Sequence, residues 1–224
     1  MSETIQTDGC VLSAMPIGEN DKRVVLLTRE LGRISAFARG ARRPGNPLMA
    51  PCSPFVFGTF TLVQGKSSYS VQQVKVLKYF TELAAEQPGV YYGFYFLDLA
   101  GYYSREGIDE TASLNLLYLS VRALLNRHLD NRLVRCLFEI RLLTINGEFS
   151  PDIITENEKM FGPVSSTTAS VIRYASSGPM EKLYTFVLDE KNLLELERVT
   201  DRLLKRAIER PVRSRIILEE MKNK

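Results

Sequence analysis

Up to residue 80 the apolar residues largely alternate, and after Pro88 they recur every three or four positions. That one change of period calls for a strand-built unit followed by a helix-built one. Strands are expected at 4–14, 22–28 ("KRVVLLT"), 33–39, 54–64 ("PFVFGTFTLVQ") and 68–78 ("SYSVQQVKVLK"), which are rich in Val, Thr, Phe and Tyr. Gly18–Asp21 and Gly65–Ser67 carry the residues of tight turns. The segment "RPGNPLMAPCSP" holds Pro44, Pro47, Pro51 and Pro54. Proline supplies no ladder donor, so this segment is a loop between the third and fourth strands. Five short strands with the longer connection after the third match the layout of an OB-fold barrel.

Helices are expected at 90–104, 110–128 and 131–146, the last with Asn131 or Asp130 as its cap. Short helices at 166–176 and 180–188 and a long one at 192–208 complete the pattern. Between them "GEFSPDIITENEKMFGPV" has Gly, Pro and acidic residues without periodicity. The expected fold class is therefore α+β: an N-terminal five-stranded OB-fold β-barrel over 1–80, then a mostly α-helical domain over 81–224 with an irregular insert at about 147–165.

The most apolar window, "GVYYGFYFLDLAGYY" at 89–103, is interrupted by Asp98. It is shorter than the roughly 20 apolar residues that span a bilayer and reads as a buried helix. The N-terminus lacks the basic start and apolar run of a secretory signal. Cys10, Cys52 and Cys136 are odd in number and far apart, which suits neither a disulfide framework nor a zinc cluster. These features predict a cytoplasmic protein.

Catalytic motifs are scarce. The single histidine, His128, ends an expected helix beside Arg127 and has no triad context. No Walker loop is present, and no GxGxxG follows a strand. Charge is more informative. Residues 1–80 hold ten Lys/Arg against five Asp/Glu, 81–195 hold ten against sixteen, and 196–224 hold nine against five. Basic ends around an acidic middle point to an anionic partner at the ends.

Within "GRISAFARGARRPG", Arg33, Ser35, Phe37 and Arg39 alternate with Ile34, Ala36 and Ala38. One reading is a DNA surface: Arg33, Arg39, Arg42 and Arg43 neutralise phosphates while Phe37 or Tyr69 stacks on an unpaired base. The other is a solvated edge that deters strand pairing, with Phe37 in the core. A second cluster, Arg202, Lys205, Arg206, Arg210, Arg213 and Arg215, reads either as a second basic surface or as the wet, cation-rich end of a helix. On 131–146, Arg132, Arg135 and Arg141 stand among Leu133, Leu137, Phe138 and Leu142. Such a helix suits a peptide ending in a hydrophobic residue and a carboxylate, or is core on one side and wet on the other.

The stretch "GCVLSAMPIGENDKRVVLLTRELGRISAFARGARRP" (9–44) resembles the N-terminal signature of the RecO family of bacterial recombination mediators. "PCSPFVF" is similar to that family's entry into its fourth strand, "LFEIRLLTINGEFSPDI" (137–153) to its central helix, and "RPVRSRIILEEM" (210–221) to its closing segment. The resemblance implies a non-enzymatic role: binding single- and double-stranded DNA, annealing complementary strands, and loading RecA with RecR onto single strands coated by single-stranded-DNA-binding protein (SSB). On that basis Arg33, Phe37, Arg39, Arg42, Arg43, Lys75, Arg213 and Arg215 are candidate DNA contacts, and Arg132 and Arg135 candidates for the acidic C-terminal tail of SSB. It also implies a nucleoid-associated, cytoplasmic location. Many family members carry a four-cysteine zinc ribbon after the central helix. Here "SPDIITENEKMFGPVSSTTASVI" has no cysteine, so no metal and no cofactor is expected. An adaptor whose OB domain touches no nucleic acid is the alternative.

Overall fold

The computed structural model describes residues 3–66 and 68–222; Ser67, in the second expected turn, lies outside the described residues. Five strands form the first unit: β1 (Thr4–Ile17), β2 (Asp21–Thr28), β3 (Gly32–Ala38), β4 (Phe57–Gln64) and β5 (Tyr69–Lys78). They close into a barrel in the order β1-β2-β3-β5-β4. The long β1 pairs antiparallel with both β2 and β4, shifting register between Val11 and Ser13. A short parallel contact, Ala36↔Tyr69 and Phe37↔Ser70, joins β3 to β5 and completes the ring. Strand order and connection lengths are those of an OB-fold.

Alternation decides what fills the barrel. Val11, Val24, Leu26, Ile34, Ala36, Phe60, Leu62 and Val71 point inward and are buried. Each such aliphatic or aromatic side chain contributes about 1.5–3 kcal/mol on leaving water. The proline-rich loop carries Ala41, Leu48, Cys52 and Val56 into the same core. Lys22 fastens that loop, its Nζ donating to the carbonyls of Met49 at 2.7 Å and Cys52 at 3.1 Å. β4 begins at Phe57 rather than at the expected Pro54, because the turns of the loop run on through Phe55.

A 3₁₀ turn at Thr81–Ala85 precedes α1 (Gly89–Tyr103) and α2 (Thr111–Ala123). The chain divides into two compact units, one holding the barrel through Ala84 together with Leu97–Asn115, the other holding Ala85–Phe96 and everything from Leu116. This division differs from a single cut after residue 80. The first unit keeps residues 104–110 because they dock on β3: Arg33 N–H donates to the Arg105 carbonyl at 3.0 Å, and Gly107 N–H to the Leu31 carbonyl at 2.9 Å. Gly32 makes the approach possible. Its φ is +68°, and a Cβ there would lie 1.9 Å from the Arg105 carbonyl oxygen.

The second unit is built on α3 (Asn131–Ile145), with α4 (Asp152–Glu156), α5 (Glu158–Phe161), α6 (Ser166–Ser177), a 3₁₀ turn at Met180–Lys182, α7 (Glu190–Ala207) and α8 (Arg213–Lys222). Every residue of α3 from Leu133 to Leu143 is buried, as expected for a helix surrounded by others. Phe138 stacks on Phe96 with ring centroids 4.3 Å apart. Asp130 is the cap, accepting the Arg132 N–H at 2.8 Å.

Four expectations are corrected. The irregular insert at 147–165 contains two short helices, α4 and α5. The helix expected to reach His128 ends at Ala123, where Asn126 captures the His128 N–H in a side-chain turn. The helix expected at 180–188 is one 3₁₀ turn, after which the chain leaves helical geometry through a turn and reaches Asp189, the cap of α7. Residues 213–222 form a helix that the sequence reading did not assign, following the break at Pro211. Among the described residues no helix is long and apolar enough to cross a membrane.

Candidate nucleic-acid interface

On β3 the burial alternates residue by residue: Ile34, Ala36 and Ala38 are buried, Arg33 is exposed, and Ser35 and Phe37 are half-buried. The face expected from the sequence therefore exists, and β2 extends it. Arg23 is exposed and is the register partner of Phe37 on one side and of Met15 on the other. Its Nε donates to Ser35 Oγ at 2.8 Å. Sequence reasoning missed Arg23. The signal was available, since in "KRVVLLT" Arg23 alternates with the buried Val24.

At the end of β3 the chain turns through Arg39, Gly40, Ala41, Arg42 and Arg43. Ala41 is the buried anchor, and Gly40, with φ of +67°, donates its N–H to Asp21 Oδ1 at 2.7 Å. Arg42 clamps this turn to the β1–β2 turn: its N–H donates to the Asn20 carbonyl and its Nη1 to the Gly18 carbonyl, each at 2.9 Å. Arg39 and Arg43 are exposed and make no side-chain hydrogen bond or ion pair among the described residues. In OB-folds this strand-2/strand-3 face and its neighbouring β1–β2 turn form the usual oligonucleotide surface. Glu19 and Asp21, in and just after that turn, are the nearby opposing charges in sequence.

The other candidates are placed differently. Arg33 donates from Nη1 to the Gly101 carbonyl near the C-terminal end of α1, so it serves as a helix cap. Lys75 is exposed on β5 opposite Thr59 of β4, further along the strand than the two-residue contact, Ala36↔Tyr69 and Phe37↔Ser70, by which β5 joins β3. Tyr69 is half-buried at the β3–β5 contact. In the second unit Arg213 is exposed, whereas Arg215 is 15% exposed and paired with Asp201 at 3.3 Å and Glu219 at 3.0 Å.

Arg132 and Arg135 are both committed to carboxylates. Arg132 bonds Asp130 at 2.7 Å and Glu190 at 2.8 Å. Arg135, 5% exposed, pairs with Glu139 at 3.3 Å, Glu197 at 3.0 Å and Asp201 at 2.9 Å. A peptide carboxylate would have to displace these partners. Burial alone would lower the Arg135 pKa, but the facing Glu139 and Asp201 outweigh it and hold the guanidinium charged. Burial pushes the Glu139 carboxyl up, opposed by Arg135 and by the Tyr95 hydroxyl that donates to it at 2.8 Å. Arg141 caps α6 from the side, its Nη2 donating to the Gly178 carbonyl at 2.7 Å.

The segment without cysteines is held by α7. Arg198 donates to the carbonyls of Phe161 and Pro163, and Arg202 to that of Met160. Glu195 accepts Ser165 N–H at 3.0 Å and the hydroxyls of Ser165 and Thr168 at 2.6 Å each. Among the described residues no group of three or more His, Cys, Asp or Glu side chains is arranged to hold a metal ion.

Comparison with known proteins agrees with this architecture at both ends of the chain. Residues 1–80 match the family described as Recombination protein O N terminal, and 157–216 match Recombination protein O C terminal. This chain belongs to the RecO family. A DNA repair protein RecO of Alkaliphilus metalliredigens is 31% identical over 143 residues, covering 64% of this chain and 58% of that protein. RecO proteins of Acetivibrio thermocellus and Clostridium kluyveri are 25% and 24% identical over alignments covering 92% and 93% of their lengths. RecO membership gives the chain a role in DNA repair and recombination.

Proposed function

We propose that this chain binds DNA without catalysing a reaction on it, through the outward β2–β3 face and the 39–43 turn of the barrel. The observation that carries this reading is a pair of exposed arginines, Arg39 and Arg43, that make no side-chain hydrogen bond or ion pair among the described residues, on a turn that Arg42 and Asp21 hold beside that face. Cations fixed in position but left without partners suit phosphates, which bind by charge and release counterions. The wider role is that of a recombination mediator that binds single- and double-stranded DNA, anneals complementary strands and works with RecR to load RecA on SSB-coated strands. It rests on RecO membership.

The test is fluorescence anisotropy of labelled oligonucleotides at low and physiological salt. Parent protein is expected to bind in a salt-sensitive way, and Arg39→Ala with Arg42→Ala and Arg43→Ala to weaken binding to every sequence alike while flattening the salt slope. A triple variant that binds as the parent does would sink the site, and a parent that binds nothing at low salt would sink the DNA-binding role.

A further inference from the structure

Resting on that DNA-binding reading, we propose that Met15, Arg23 and Phe37 form a stacking row for unpaired bases, and that this row makes the barrel favour single strands over duplex. The three residues are consecutive register partners across β1, β2 and β3. Neighbours in such a row stand about 4.8 Å apart. Val24, Ala36 and Ala38 fill the barrel side of the same strands, so the row faces outward, with Met15 64% exposed.

Three properties suit it to bases. Phe37 and the Arg23 guanidinium each offer a flat π face, and the Met15 thioether is polarizable and adaptable. The Ser35 hydroxyl holds Arg23 Nε at 2.8 Å, so the guanidinium is oriented before any ligand arrives. The row spacing of about 4.8 Å exceeds the roughly 3.4 Å rise per nucleotide of a duplex strand. A splayed single strand can lay successive bases on it. A duplex keeps its bases paired inside and can present only phosphates, which the exposed Arg39 and Arg43 accept from either form. The face therefore divides its tasks: the turn supplies affinity for any DNA, and the row supplies preference for unpaired bases.

The experiment compares a labelled oligo-dT strand with a labelled blunt duplex, using parent, Arg23→Lys, Phe37→Leu, Met15→Ala and the paired Arg39→Ala/Arg43→Ala protein. Arg23→Lys keeps the charge but loses the plane. It and Phe37→Leu are each expected to weaken oligo-dT binding about fivefold or more, with duplex affinity and salt slope unchanged. The paired turn variant should weaken both forms to a similar degree. Row variants that leave both affinities unchanged, or that lower both equally, would overturn the stacking row while leaving DNA binding standing. A parent that binds neither probe would instead overturn the DNA-binding reading beneath it. Should Phe37→Leu fail to fold, the exposed Arg23 and Met15 variants still decide the question.

Discussion

Arg132 and Arg135 stand one helical turn apart on α3, yet only one of them has left water. Arg135 is 5% exposed among Glu139, Glu197 and Asp201, while Arg132 is 29% exposed beside Asp130 and Glu190. Removing one partner of a buried ion cluster leaves the others uncompensated. Arg135→Ala is therefore expected to cost about 3–5 kcal/mol in urea unfolding, because Glu139 is fully buried. Arg132→Ala should cost a small fraction of that, since its partners can turn to solvent. Equal costs would contradict this account. At this scale the sequence places both arginines on one helix but does not show the carboxylates that face them. Their partners on α7 lie 58 to 66 residues away in the chain, beyond any local pattern.

Helix ends and one strand end carry the predictions that belong to whole elements. Gly32→Ala would drive a methyl group into the Arg105 carbonyl at a backbone φ of +68°. It should cost about 2 kcal/mol or more in unfolding experiments, through strain and the loss of residues 104–110 from β3. A neutral outcome would mean that this docking contributes little. In the helical unit, Asn192 N–H bonding at the α7 cap lowers the Asp189 pKa, and the Arg132 hydrogen bond lowers that of Glu190. Burial pushes Asp130 and Glu195 up, but Arg132 and the Ser165–Thr168 donors respectively outweigh it and leave both below the usual carboxylate range. A folded-state pKa below the unfolded one stabilises the protein above the unfolded value near 4, and that stability is lost as pH falls through the lowered values. Glu139, raised by burial, contributes in the opposite sense, its share being lost as pH rises. The helical melting midpoint is thus expected to drop steeply below about pH 4, and Glu195→Gln to blunt that drop. Expected boundaries were closest where a cap or an unbroken period marked them, as at Asp130 and β3, and furthest where side chains such as Asn126 competed for the backbone.

Across the whole molecule, two substitutes for more familiar devices stand out. The barrel closes with its own proline-rich loop as a plug, through Ala41, Leu48, Cys52 and Val56. Residues 160–168 are tied down by Glu195, Arg198 and Arg202 of α7 instead of by cysteines. Dialysis against EDTA should accordingly leave the thermal midpoint unchanged, whereas Arg198→Ala should lower it; a fall on chelation would reveal a structural metal. Sequence by itself determined the change from strands to helices, the five-strand barrel layout and the alternation that turns Arg33, Ser35 and Phe37 of β3 away from the barrel core. Periodicity, proline and glycine act over a few neighbouring residues, so those features are written locally. Only the tertiary structure decided which arginines remain available. A guanidinium looks the same in sequence whether it caps α1 as Arg33 does, sits among buried carboxylates as Arg135 does, or is exposed with no partner among the described residues as in Arg39 and Arg43. Its fate depends on charges that folding brings from distant parts of the chain, and the same long-range register set Arg23 beside Phe37.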